Sequence, residues 1–162
     1  MVDGGEENRR CSAPARKIVL IDMENMLFGA HEHSQDLRTE EILNLAEARR
    51  PSDLIIVGCN PQLAFQARNH FPKARIVTGH GEDGADRALI ETLDLAHAAD
   101  RFTELCIVSG DNAFASIAHA ARREGLEVRV VAPHFGLSTE LRVQADMTVL
   151  LPEADEGEEK AA

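Results

Sequence analysis

Short apolar runs alternate with segments of helical spacing along most of the chain. Residues 105–108 are apolar without interruption and end at the turn signal Ser109-Gly110, which is typical of a strand buried on both faces of a parallel sheet. From Phe114 onward, apolar residues recur at helical spacing until Gly125, a residue suited to the left-handed position after a helix. The same alternation predicts six strands, at residues 17–22, 54–57, 74–78, 105–108, 126–132 and 147–151.

Helical segments are predicted between these strands. Asn60-Pro61 has the residue types of a helix start, with Asn as the cap and Pro at the first helical position. Ser138 is the predicted cap of a short helix that ends near residue 145. The remaining helices are predicted at 37–49, 85–99 and from Phe114 onward, with a turn at 23–26 and a polar loop at 31–36. The alternation predicts an α/β fold of three layers, α/β/α, with a mainly parallel sheet and helices on both faces.

The length and the charge distribution predict one domain with two peripheral ends. The 162 residues are enough for one domain with a core, which we place at residues 16–151. Residues 1–15 and the acidic tail 152–162 lack periodicity, and we expect both to be disordered. The net charge is -11, and because the ends hold eight acids and three bases, the domain retains about -6. This balance argues against broad, charge-driven binding to nucleic acid.

Three cysteines and the absence of long apolar runs indicate the compartment. Cys59 and Cys106 fall in strand-like apolar runs, Cys11 stands apart, and no spacing matches a zinc site. Buried free thiols in a reducing cytoplasm are therefore the prediction. We see no signal peptide and no run long enough to span a bilayer, so we expect a cytoplasmic protein without membrane contact.

Three acids follow strands or open helices at one predicted edge of the sheet. Asp22 ends the first strand, Asp86 opens the helix after the third, and Asp111 follows the fourth. Parallel strands present their carboxyl ends at one edge, so these carboxylates can converge there. Converging carboxylates stay ionised together only beside a cation, and oxygen ligands favour Mg²⁺ or Mn²⁺. Alternatively, Asp86 and Asp111 only stabilise helix starts.

Other polar residues near this edge have two interpretations. Asn25 could hydrogen-bond a carboxylate or a phosphate, and it is also an ordinary turn residue. Ser109 and Ser138 have the same ambiguity. The segment 79–84 matches G-x-G-x-x-G and precedes a predicted helix. We reject it as a dinucleotide site, because Glu82 and Asp83 would repel a pyrophosphate.

Four segments in order resemble the NYN domain of the PIN-like nuclease superfamily. The likeness covers about residues 17–151, and the segments are 18–25, 84–89, 107–114 and 137–142, the last followed by Ala145-Asp146. The resemblance implies an α/β/α domain that cleaves RNA phosphodiesters with Mg²⁺ or Mn²⁺. It implies Asp22, Asp86 and Asp111 as metal-binding acids, Asn25 as a supporting catalytic residue, and Ser109 and Ser138 near the site. The predicted substrate-binding residues are Ser109, Asn112, Ser138 and Arg142.

One departure leaves a second function open. Many members have another acid two residues after the one matching Asp111, and here that position is Ala113. The loss of a carboxylate should weaken metal binding, and Asn112 can coordinate only as a neutral ligand. The alternatives are an RNA-binding or protein-interaction domain with little or no catalysis, and an unrelated α/β phosphotransfer or nucleotide-binding enzyme. The RNA substrate, the oligomeric state and any protein partner stay open at this point.

Overall fold

A six-stranded parallel sheet lies at the centre of the fold. The computed structural model describes residues 15–27 and 32–152, so the expectations for residues 1–14, His31 and the tail from residue 153 fall outside the described chain. Every neighbouring pair of strands is parallel, in the order β3-β2-β1-β4-β5-β6. The strands are β1 Lys17–Asp22, β2 Leu54–Cys59, β3 Arg75–Thr78, β4 Glu104–Val108, β5 Glu127–Ala132 and β6 Met147–Leu150. The predicted α/β fold is confirmed.

Helices cover both faces of this sheet. Along β1, Ile18 and Leu20 belong to one core cluster, and Val19 and Ile21 belong to the other, because successive strand residues point to opposite faces. Residues of α4 to α7 pack in the first cluster, and residues of α1 to α3 pack in the second. The helices are α1 Met23–Leu27, α2 Glu32–Leu45, α3 Ala64–His70, α4 Gly84–Thr92, α5 Leu95–Arg101, α6 Ala115–Arg123 and α7 Thr139–Gln144.

Two predicted caps are present, and two segments predicted as a turn and a loop are helical. The Asn60 side chain accepts from the Gln62 amide at a 3₁₀ turn, Pro61–Leu63, and Ser138 caps α7. The predicted turn at 23–26 is the short helix α1, and the predicted polar loop at 31–36 is helical from Glu32. Those first residues of α2 lack apolar periodicity, so the pattern gave no helical signal.

The predicted helix 85–99 is two helices, because Asp94 begins a new one. Leu93 has extended backbone angles, and the Asp94 side chain accepts a hydrogen bond from the His97 amide at 3.3 Å. An Asp with extended backbone angles is a favoured helix cap. The apolar spacing continues across this break, and it therefore concealed the change of helix.

The two cysteines of the described residues lie buried in the sheet. Cys59 and Cys106 are buried and free, as predicted. Within the described residues, no helix combines the length and the apolar character that crossing a membrane requires.

The strand order creates a crevice at the carboxyl ends of β1 and β4. From β1 the chain proceeds to β2 and β3 on one side, and from β4 it proceeds to β5 and β6 on the other. The connections leave these two central strands in opposite directions, and ligands bind at such a switch point in open α/β sheets. The register Ile21↔Val108 brings the two strand ends level.

Candidate metal centre

Asp22 and Asp111 lie at the same edge of the sheet, on either side of the switch point. Asp22 is the last residue of β1, and Asp111 follows β4 and caps a 3₁₀ turn, Asn112–Phe114. Asp86 lies in the first turn of α4. The three predicted acids therefore line one cavity of about 250 Å³, together with Glu24, Asn25 and the loop 81–85. The edge predicted from strand ends is the edge that the structure shows.

Gly58 allows α4 to bring Asp86 close to Asp22. Gly58 is the β2 partner of Asp22 in the parallel register. A Cβ atom at Gly58 would lie 2.5 Å from Cγ of Leu89 and 3.0 Å from the carbonyl oxygen of Ala85. The first turns of α4 therefore rest directly on the backbone beside Asp22, where a larger residue would push the helix away.

Asp22 is held by neighbouring hydrogen-bond donors. The Ser109 hydroxyl donates to Oδ2 of Asp22 at 3.2 Å, and the Asn25 amide donates to Oδ1 at 3.4 Å. Ser109 Oγ also accepts from the Asp111 amide at 3.1 Å, so one hydroxyl joins both acids. Ser109 has no exposed surface, and Asp22 is 4% exposed. The contacts of Ser109 are thus with the acids, and a contact with substrate stays a prediction.

The carboxyl groups of Asp22 and Asp86 are hydrogen-bonded to each other. Burial raises the pKa of Asp86 to about 8, and the charges of Asp22, Asp111 and Asp83 add to the rise. Burial likewise raises the pKa of Asp22 above its ordinary value. Desolvation and like charge both disfavour ionised carboxylates, so without a cation this pair retains a proton.

Asp83 also lines this cavity, and the sequence analysis did not include it among the candidate metal-binding acids. One carboxylate oxygen from each of Asp83, Asp86 and Asp111 can be chosen so that all three lie within 4.8 Å of one another. The sequence analysis used Asp83 only as an argument against a dinucleotide. The available signal was its position, three residues before Asp86 in a loop that leads to the same edge.

The loop before α4 closes tightly on itself and thereby places Asp83. A Cβ atom at Gly79 would lie 1.9 Å from the carbonyl oxygen of Gly84, so neither end of the loop has room for a side chain on that side. Asp83 itself has a left-handed backbone with φ of 58°. The glycines that matched a nucleotide motif allow this close approach, and the loop ends at an acidic cavity.

Asn25 and Ala113 complete the surroundings of Asp22 and Asp111. The Asn25 side-chain oxygen accepts from the Gly110 amide at 3.4 Å, which joins α1 to the end of β4. Ala113 is exposed, and its amide donates to Oδ1 of Asp111 at 2.8 Å. Asp111 thus stabilises a helical start, as one interpretation held, and also faces the cavity. Asn112 is exposed beside it.

Ser138 is hydrogen-bonded to Gly110, and Arg142 lies on the helix that Ser138 caps. The Ser138 amide donates to the Gly110 carbonyl oxygen at 2.9 Å, and the Ser138 hydroxyl accepts from the Leu141 amide at 3.1 Å. Arg142 is exposed on α7. The hydroxyl of Ser138 is therefore engaged as a helix cap, and contacts of Ser138, Asn112 and Arg142 with substrate stay predictions.

Comparison with known proteins gives a family match and a structural match. A family model described as the NYN domain matches residues 16–151. The fold is similar to a solved protein of unknown function from Vibrio parahaemolyticus, with 16% identity, a TM-score of 0.57, and coverage of 86% of this chain and 94% of that chain. At this identity the likeness concerns the fold alone. No curated protein matches the chain.

Proposed function

Because the chain belongs to the NYN domain family, a family of PIN-like nuclease-type domains, we propose that it is a Mg²⁺- or Mn²⁺-dependent ribonuclease. Asp22, Asp86 and Asp111 would hold the ion, and the reaction would be hydrolysis of an RNA phosphodiester bond. The observation that supports this most directly is the convergence of buried and half-buried carboxylates at the switch point of the sheet.

The donor set fits a hard divalent cation. Every polar side chain that lines the cavity offers an oxygen, and neither cysteine nor histidine is among the lining residues. Oxygen ligands favour Mg²⁺ and Mn²⁺ over zinc or copper. A bound cation would also offset the repulsion and the desolvation of the adjacent carboxylates, and Asp22 and Asp86 would then ionise together.

The residues of the chain would orient the acids and the substrate. When bound, the ion would polarise a phosphate oxygen and lower the pKa of a water molecule for attack on phosphorus. Ser109 and the Asn25 amide hold the Asp22 carboxylate, which in turn fixes Asp86. Asn25 and the Gly110 amide keep α1 against the end of β4, so the two acid-bearing strand ends stay together.

RNA recognition would depend on the metal more than on a basic surface. The net charge of -11 gives no general attraction for phosphates. The cavity itself is lined by several acids and by no lysine or arginine. We therefore expect weak RNA binding without a divalent ion and clear binding or cleavage with one.

A cleavage assay on labelled single-stranded RNA with Mn²⁺ tests the proposal. We expect Asp22→Asn, Asp86→Asn and Asp111→Asn each to lower the cleavage rate by at least roughly 100-fold, beyond the 10- to 100-fold typical of residues that only support a metal site. Asp100→Asn is the matched control, because Asp100 is an exposed acid on α5. Full activity in both the Asp22 and Asp111 variants would overturn the assignment of the site.

The exposed Ala113 favours one other function, a binding domain with little catalysis. The side chain of Ala113 offers no carboxylate, whereas many family members have an acid at the matching position, two residues after the acid that matches Asp111. Mn²⁺-dependent RNA binding without any cleavage by the purified chain would support this second function over the first.

A further inference from the structure

We propose that Asp83 is an additional metal-binding residue of this site, on the exposed side of the cavity. The inference rests on the proposed function, since it concerns the same divalent ion. It adds a residue that neither the strand-end pattern nor the family resemblance indicated.

The first observation is the position of the Asp83 carboxylate. Among the described residues, Asp83, Asp86 and Asp111 form the group whose carboxylate oxygens come within 4.8 Å of one another. Asp22 lines the same cavity but is hydrogen-bonded to Ser109, Asn25 and Asp86. Asp83 therefore lies on the exposed side of the cavity, where its carboxylate can reach an ion held by Asp22, Asp86 and Asp111.

The second observation is that the backbone of Asp83 is fixed to the helix that bears Asp86. The Arg87 amide donates to the Asp83 carbonyl oxygen at 3.1 Å, and the Gly84 amide donates to the Gly81 carbonyl oxygen at 3.2 Å. The close approach of Gly79 to Gly84 closes the loop behind them. Asp83 and Asp86 thus belong to one hydrogen-bonded turn, and this turn can present two carboxylate oxygens to one ion.

The third observation separates Asp83 from its neighbour Glu82. Both are exposed, both line the cavity, and both carry one negative charge. Glu82 is outside the group of converging oxygens. If only the local negative charge attracted the ion, the two residues would contribute equally. If coordination matters, Asp83 would contribute far more.

Mn²⁺ titration by calorimetry on the full chain tests the inference. We expect Asp83→Asn to weaken Mn²⁺ binding by roughly 10- to 100-fold, the range typical of groups around a metal site. We expect Glu82→Gln to stay within about twofold of the unsubstituted chain, because that variant changes only the local charge. Asn tolerates a left-handed backbone, so the loop should keep its shape.

Asp83→Gly is a second variant, which distinguishes a loss of metal coordination from a loss of the native fold. Glycine adopts the left-handed conformation found at this position without steric cost, so this variant should melt no lower than the unsubstituted chain in EDTA. Loss of Mn²⁺ binding with an unchanged melting temperature would support coordination by Asp83.

The outcomes distinguish this inference from the proposed function. Normal Mn²⁺ binding by Asp83→Asn, together with loss of binding in Asp86→Asn, would overturn the role of Asp83 and leave the metal site standing. Equal losses in the Asp83 and Glu82 variants would also overturn it, because charge alone would explain them. If the unsubstituted chain binds no Mn²⁺, the proposed function fails and this inference fails with it.

Discussion

The Ser109 hydroxyl donates to Oδ2 of Asp22 at 3.2 Å and joins two residues that are 87 positions apart in the chain. The same oxygen of Ser109 accepts from the Asp111 amide. One buried hydroxyl therefore sets the positions of both acids that follow the central strands. This relationship connects the packing of the sheet to the geometry of the candidate metal centre.

Removal of this hydroxyl should affect both stability and metal-dependent activity. Ser109→Ala leaves the Asp111 amide without its acceptor and Asp22 without one of its donors. We expect a loss of about 1–3 kcal/mol in the free energy of unfolding and a fall of roughly 10- to 100-fold in cleavage rate. Urea unfolding and the RNA assay measure the two effects. Ser116→Ala, at an exposed position on α6, is the control. An unchanged cleavage rate in Ser109→Ala would contradict the positioning role.

The metal-free protein should become less stable as the pH rises. The pKa of Asp86 is about 8 in the folded chain, against an ordinary value of 3.8. Between these two values the folded state binds more protons than the unfolded state, so stability present below about pH 4 is lost as the pH approaches 8. We expect the melting temperature in EDTA to fall between pH 6 and pH 8.5.

Asp86→Asn should flatten this dependence, because Asn does not titrate, whereas Asp100→Asn should keep it. Addition of Mn²⁺ at pH 8 should raise the melting temperature of the unsubstituted chain, since the ion binds only the folded state. A melting temperature that rises with pH in EDTA would show that the buried carboxyl pair does not determine the pH dependence of stability between pH 6 and pH 8.5.

A carboxylate at position 113 should strengthen the site. Ala113 is exposed and follows Asp111 in the 3₁₀ turn, so Ala113→Asp has room for its side chain. We expect tighter Mn²⁺ binding by up to roughly 10-fold and faster RNA cleavage, because one more oxygen ligand becomes available. Calorimetry and the cleavage assay measure these effects. Weaker Mn²⁺ binding in this variant would indicate that position 113 faces away from the ion.

A side chain at Gly58 should displace α4 and disturb the site indirectly. In Gly58→Ala the new methyl group would overlap Leu89 and approach the Ala85 carbonyl oxygen. We expect a loss of about 1–3 kcal/mol in stability, and weaker Mn²⁺ binding because Asp86 moves with the helix. Unfolding and calorimetry on the same sample provide the measurements. A destabilised variant with normal Mn²⁺ affinity would show that the position of Asp86 does not depend on this contact.

The two thiols within the sheet should be unreactive in the folded protein. Burial raises the pKa of Cys106 to about 12 and raises the pKa of Cys59 above its ordinary value. The thiolate is the reactive form, so both should resist thiol reagents at pH 8. In a Cys11→Ser background we expect labelling only after denaturant is added. Rapid labelling of the native chain would mean that these strands open readily.

Local patterns predicted most elements, because buried strands and helices each leave a characteristic spacing of apolar residues in the sequence. Buried strands such as β1 and β4 appeared as uninterrupted apolar runs, and Asn60 and Ser138 began helices where their side chains allow capping. The pattern failed where periodicity was absent or misleading. The first turn of α2 is polar, and the apolar spacing of α4 and α5 continues across the Asp94 cap.

The sequence by itself determined the fold class, the family and the positions of three acids at strand ends or helix starts, because these depend on residue order along short segments. Only the tertiary structure decided the strand order, the meeting of Asp86 with Asp22, and the presence of Asp83 at the same cavity. Those features depend on which distant backbones approach closely, as α4 does at Gly58. Such approaches arise from the packing of the whole core around the sheet, which no local pattern of apolar and polar residues specifies.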